Sequence, residues 1–396
     1  MLTQSLPQSS LAAWIAERFA ARNAVMRDYF AREASRVTSA AEAMAERFAR
    51  GGRLFAFGRG PYATDAAHLS VEFVHPVIVG KRALPALDVS AAPEAMLAAL
   101  ATGDDVAVAF GPPAGDASAL AALSAVRARG VLTLALPGED ADYAFASPAL
   151  DAHVHQELFE LVGHTLYESV HVFLEHEARD TGADGGAASF LYPFLGPGSG
   201  VDSSAVARSV IAKASDGEGL RTRFAERHAQ ALGTAIIAIA RRLRAGARIL
   251  ALGNGGSATD ATDFALDCVA PDGALRPLPA LSLAVEPAVL TALGNDVGME
   301  LTFVRQVIAQ GRPGDVLVAF STSGGSKNVV AALAEARTRG LLSLAILGHD
   351  GGEITRRGLA DHTLVVEADD VPRIQETQAA IYHILRSGLD RVYDDA

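Results

Sequence analysis

Two short turns in the second half of the chain have the composition to bind an anion. Gly253-Asn254-Gly255-Gly256-Ser257 follows an apolar run and opens a helical pattern. Glycines let the backbone turn sharply and approach a ligand, and a helix start supplies unpaired N–H groups and a favourable dipole. Ser321-Thr322-Ser323-Gly324-Gly325-Ser326 follows the apolar run 316–320. Four hydroxyls beside two glycines are costly to bury unless something accepts their hydrogen bonds. In open α/β sheets ligands bind beyond the carboxyl ends of strands, so two such loops at two strand ends point to phosphate.

The elements that must position these turns repeat along the chain. Residues 51–72, GGRLFAFGRGPYATDAAHLSVE, match 246–267, GARILALGNGGSATDATDFALD. Both blocks continue to R-x-L-P-A-L, at 82–87 and 276–281, and HVHQELFELVGH (153–164) pairs with PRIQETQAAIYH (372–383). The offset grows from 195 to 219 residues, so the first copy lacks about 24 residues, opposite 291–312. Each copy is expected to begin with helices (10–49 and 206–245). Strands follow at 53–57, 105–110 and 131–135, and again at 248–252, 315–320 and 342–347. Apolar strands separated by helical segments indicate an α/β fold, a parallel sheet with helices on both faces, built twice in tandem. The expected domains are 1–180 and 206–396. The Gly-, Ala-, Ser- and Pro-rich 181–205 reads as a linker, whose apolar 189–196 is expected to pack on something.

Composition narrows the function. The 396 residues carry 34 basic and 46 acidic side chains, a formal charge of −12. That field argues against nucleic-acid binding, which needs clustered Lys and Arg, yet a pocket of backbone N–H groups can still hold phosphate. A single cysteine, Cys268, excludes an intrachain disulfide framework and fits a reducing compartment. The N-terminus lacks a basic segment followed by an apolar core, and no apolar run approaches the ~20 residues of a membrane span. A soluble, cytoplasmic protein with no membrane partner is expected.

The stretches GNGGSATDA, ALGNDVGMELTFVRQV, GRPGDVLVAFSTSGGSKNVV and RIQETQAAIYH closely resemble the SIS (sugar isomerase) domain of sedoheptulose 7-phosphate isomerases. The resemblance covers 206–395, and 10–178 resembles the same family more faintly. It implies that Ser257, Ser321, Thr322, Ser323 and Ser326 hold a sugar phosphate, with Asn254 beside them. Glu286 stands where the family has a substrate-contacting Asp. The family also carries a His and a Glu four apart on the helix after the first loop, and a Gln and a His eight apart on a later helix. The four bind zinc, and the Glu and second His serve as acid and base. The first copy has this set as His68, Glu72, Gln156 and His164, which makes Glu72 and His164 its implied catalytic pair. The second has Asp263, Asp267, Gln375 and His383. Conversely, the first copy has Pro61-Tyr62 in place of Gly256-Ser257, and Gly111-Pro112-Pro113-Ala114-Gly115 in place of the serine loop.

Length along a helix separates these roles. Ser257 and Asp267 are ten residues apart, ~15 Å at 1.5 Å per residue, whereas a seven-carbon sugar phosphate spans about 8–9 Å from phosphorus to C1. A division of labour is expected, with the phosphate cradle on the second copy and metal and acid/base on the first. The competing expectation is a self-contained second-copy site of Asp263, Asp267, Gln375 and His383. The resemblance implies zinc-assisted aldose–ketose isomerisation of sedoheptulose 7-phosphate, by a homodimer of tandem chains that forms a four-domain assembly. The rival expectations are isomerisation of another phosphosugar and a non-catalytic SIS protein, either a sugar-phosphate sensor or an adaptor like the DnaA-initiator-associating family.

Overall fold

The structure, a computed structural model, describes residues 8–76, 81–149, 151–180, 202–271 and 273–395. Two five-stranded parallel sheets are present, one per copy. The first contains β1 (Leu54–Phe57), β2 (Ala86–Asp88), β3 (Val106–Phe110), β4 (Leu132–Leu136) and β5 (Tyr143–Ala144), in the order β2-β1-β3-β4-β5. The second contains β6 (Ile249–Leu252), β7 (Ala280–Ser282), β8 (Val316–Ser321), β9 (Leu342–Gly348) and β10 (His362–Val366), in the order β10-β9-β8-β6-β7. Read from β7, that is the same order. Pairing is also the same, with Phe57 opposite Ala109 and Leu252 opposite Ala319. The six strands expected from the sequence are all found, each end within a residue. The short outer strands β2, β5, β7 and β10 complete the sheets.

Burial on both faces explains why the central strands read as continuous apolar runs. In the first copy Leu54, Ala56, Val106 and Val108 join one core with α1 (Gln8–Ala49), α2 (Tyr62–Val74) and α5 (Ala152–Asp180). Phe55, Phe57, Ala107 and Ala109 join another with α3 (Pro93–Leu100) and α4 (Ala117–Arg127). The second copy repeats the split. Ala251, Val318 and Phe320 pack with α6 (Ser203–Arg244), α7 (Gly256–Val269) and α12 (Val371–Val392). Leu252, Leu317 and Ala319 pack with α9 (Thr302–Gln310) and α10 (Lys327–Thr338). The extra length of the second copy lies partly between β9 and β10, where α11 (Gly352–Arg356) has no counterpart between β4 and β5, and mostly between β7 and β8. There α8 (Pro287–Asp296), a 3-10 turn (Met299–Leu301) and α9 stand where the first copy has α3 alone.

One of the two compact units is a single stretch of chain and the other is not. One comprises Ala24–Asp216, the other Met1–Asn23 with Gly217–Ala396. A 42-residue helix is about 63 Å long, twice the diameter of a small domain, so neither α1 nor α6 is contained in one core. Leu11, Ile15 and Phe19 of α1 belong to the core of Leu232, Ile236 and Ile239. Val206, Val210 and Ala214 of α6 belong to the core of Tyr29 and Phe30. Most of the sequence-read linker, with its apolar 189–196, lies outside the described residues. Among those described, no helix is long and apolar enough to cross a membrane.

Candidate active site

Strand order places the two hydroxyl-bearing turns side by side. From β6 the chain passes to β7 on one side, then to β8 on the other. The carboxyl ends of β6 and β8 therefore flank the switch point where such sheets open a crevice. Gly253–Ser257 leaves β6, and the serine loop begins at Ser321, the last residue of β8. Glycine is required at both. A Cβ on Gly253 would lie 2.2 Å from the Ser257 carbonyl oxygen, and Gly324 combines a φ of +60° with an equal approach to Gly351.

At neither of these turns does the residue preceding the helix cap it through its side chain. The residue preceding α7 is Gly255, at φ +57°. Ser326 precedes α10 without capping it, and its hydroxyl lies 3.5 Å from that of Ser321. Ser321 Oγ accepts from Gly324 N–H at 3.1 Å, and Ser323 Oγ accepts from Gly325 N–H at 3.2 Å. Asn254 exchanges amide bonds with Asn328. Ser257 is buried and Thr322 half-buried. Hydroxyls, backbone N–H groups and two positive helix ends at one crevice are groups with the chemistry to accept an anion.

The corresponding crevice of the first copy keeps the backbone turn and fills it differently. Gly60 has a φ of +58°, and a Cβ on Gly58 would meet the Tyr62 carbonyl oxygen at 2.1 Å, as at Gly253. Tyr62 is buried edge-on to His155. At the second turn Asp116 caps α4, accepting from Ser118 and Ala119 N–H. A carboxylate thus occupies the helix end that an anion would need. Arg59 pairs with Glu94 and lies 3.9 Å from Asp116.

What this copy assembles instead is the set on α2 and α5. One helical turn places His68 and Glu72 on one face of α2, with His68 Nε2 3.8 Å from Glu72 Oε1. Asp151 caps α5 through the N–H groups of His153 and Val154, and α5 brings His164 Nε2 to 3.3 Å from His68 Nε2. One nitrogen of each His and a Glu72 oxygen lie within 4.8 Å of one another, and all three residues are buried. A narrow pocket lined by Asp65, Phe110, Phe159 and Gly163 reaches His68 and His164. Gln156, two turns earlier on α5, is buried with its Nε2 3.5 Å from Thr64 Oγ1. Two imidazoles and a carboxylate at this spacing have the donor types to hold a divalent metal ion.

The second copy also brings its counterparts together. Asp263 and Asp267 sit one turn apart on α7, and His383 Nε2 lies 3.3 Å from one carboxylate and 3.4 Å from the other. All three are buried, and Tyr382 donates to Asp263 at 2.8 Å. Gln375, earlier on α12, is buried as well. Nearby Cys268 is no nucleophile, because burial pushes its thiol up to about 12. Glu286 immediately precedes α8 without capping it, and lines a groove of about 410 Å³ with Ser282, Leu293, Arg305 and Gln306.

Fold and site together define an α/β protein with a hydroxyl-bearing crevice at the switch point of its second sheet. Comparison with known proteins makes this particular. The SIS domain model matches residues 215–348. Phosphoheptose isomerase from Nitratiruptor sp. is 44% identical over 161 residues, 40% of this chain and 85% of that protein. The phosphoheptose isomerase of Nitratidesulfovibrio vulgaris is 41% identical over 177 residues, 44% of this chain and 84% of that protein. The C-terminal domain of glucosamine-fructose-6-phosphate aminotransferase from Francisella tularensis, only 11% identical, has the same fold over 95% of both chains, with a TM-score of 0.61. The chain belongs to the SIS-domain family, among its sugar-phosphate isomerases.

Proposed function

We propose that the chain interconverts sedoheptulose 7-phosphate and a D-glycero-heptose 7-phosphate. The observation that carries this reading is the gathering of His68, Glu72 and His164 within 4.8 Å in a chain whose second copy holds two hydroxyl-lined turns at its switch point. Ser257, Ser321, Thr322, Ser323 and Ser326 hold the phosphate, with Asn254 beside them and Glu286 reading substrate hydroxyls. Phosphate binding is assigned to one copy and proton transfer to the other. The working unit is a homodimer.

Glu72 takes a proton from C1 of the ketose. The electron pair left behind forms the C1=C2 bond of an enediol, and the C2 oxygen gains a proton. The aldose forms when the C1 hydroxyl loses its proton and Glu72 returns a proton to C2. His164 exchanges the protons on the two oxygens. A divalent ion, zinc by the donor set, held by His68, Glu72 and His164 with Gln156, would supply polarisation of the substrate carbonyl.

A second reading is favoured by the equally compact Asp263, Asp267 and His383. In it the second copy, with Gln375, carries proton transfer as well as phosphate. Incubation of the purified chain with sedoheptulose 7-phosphate, followed by NMR, tests the activity common to both. Unchanged ketose beside turnover of a different ketose phosphate would replace the heptose assignment, and no turnover on any of them would remove the isomerase reading.

A further inference from the structure

Asn254 and Asn328 close a ring of two amide hydrogen bonds. Asn254 Nδ2 donates to Asn328 Oδ1 at 2.9 Å, and Asn328 Nδ2 donates back to Asn254 Oδ1 at 2.8 Å. The same Asn328 oxygen accepts from Val329 N–H at 3.0 Å, which fixes the side chain against the first turn of α10. Asn328 is 8% exposed. Asn254 belongs to the glycine turn after β6, 74 residues earlier. The pair therefore spans the crevice between the ends of β6 and β8.

We infer that Asn328 is a positioning residue, which locks the two turns at one spacing so that both serve the same phosphate. This rests on the phosphate reading of the turns. Gly255 and Gly324 both hold left-handed backbone that many other conformations compete with. A cradle assembled from two such turns loses affinity in proportion to the ordering it must do on binding. The amide ring performs that ordering in advance. It needs a donor and an acceptor on separate atoms of each side chain, which Ala, Ser and ionised Asp lack. Asn328 acts through Asn254 and α10, not by touching the ligand.

Titration calorimetry of the full chain with inorganic phosphate, alongside steady-state kinetics and thermal melting, tests this with Asn254→Ala, Asn328→Ala and the double variant. Asn328→Ala is expected to weaken phosphate binding and raise KM about tenfold, the loss of roughly one net hydrogen-bond pair, with kcat within about twofold. The double variant should bind no more weakly than the worse single variant, since the two side chains act as one unit. A phosphate Kd unchanged in Asn328→Ala would overturn the inference, even with a lowered melting temperature. So would additive losses in the double variant. If the wild-type chain binds no phosphate, the phosphate reading itself falls, which separates that failure from this one.

Discussion

His164 Nε2 lies 3.3 Å from His68 Nε2, with the Glu72 carboxylate 3.8 Å from the latter, in the buried seam of α2 and α5. Two imidazole nitrogens at this separation either share a proton or turn toward a common ligand. The metal reading makes a direct prediction. His68→Ala and His164→Ala should each lower bound zinc, measured by mass spectrometry of the purified chain, by most of one equivalent. Full zinc content in both variants would remove this triad as the metal site.

Proton transfer separates the two triads. Glu72→Gln is nearly isosteric and should lower kcat by about three orders of magnitude or more while leaving phosphate affinity near wild type. Asp267→Asn should change kcat far less. An inactive Asp267→Asn enzyme beside a fully active Glu72→Gln enzyme would move the chemistry to Asp263, Asp267 and His383.

Ser257 and Ser321 each contribute a hydroxyl to the switch-point crevice of the second copy. Ser257→Ala or Ser321→Ala should raise KM by roughly tenfold or more, because a hydrogen bond to a charged group contributes about 1.5–3 kcal/mol. The melting temperature should barely move in Ser257→Ala and fall in Ser321→Ala, which deprives the buried Gly324 N–H of its acceptor. Michaelis constants equal to wild type in both variants would end the phosphate assignment of these loops.

Asp105 supports the start of β3. Its carboxylate accepts from the N–H groups of Arg53 and Thr102, each at 2.7 Å, and pairs with the Arg53 guanidinium at 3.1 Å. Burial pushes its carboxyl upward, but the bonds from Arg53 and Thr102 outweigh it and hold the group below the ordinary carboxylate range. A carboxyl depressed in the folded state contributes stability that is present above its unfolded value near 4 and is lost as pH falls through the folded one. Asp105→Asn should therefore cost about 2 kcal/mol at neutral pH and progressively less below about pH 4, measured by urea unfolding across pH. An equal cost at pH 7 and pH 3 would show that charge plays no part.

Assembly is open to a simple measurement. The chain mass is 41.1 kDa, and the proposed homodimer should scatter light as a particle of twice that mass at micromolar concentration. A monomer mass there would remove the dimer from the proposal.

The sequence alone determined the repeat, the six long strands, the two hydroxyl loops and the His68–Glu72 spacing, because each is written locally. Apolar runs buried on both faces, glycines where a Cβ would collide and a four-residue helical step are all visible without long-range contacts. The outer strands β2, β5, β7 and β10 were not legible. At two to five residues, and half-open to solvent, they carry little apolar signal. Three further features belong to the tertiary structure. The N-terminal segments of α1 and α6 enter different cores from the rest of their helices, which helical periodicity along one chain does not record. Asp263, Asp267 and His383 gather as closely as the first-copy triad, although their side chains differ from the family's set. Asn328 reads as an ordinary helix-start residue until β6 and β8 pair and bring Asn254 within hydrogen-bonding distance. In each case the deciding interaction joins residues far apart in sequence, and only the packing of strands and helices fixes their distance.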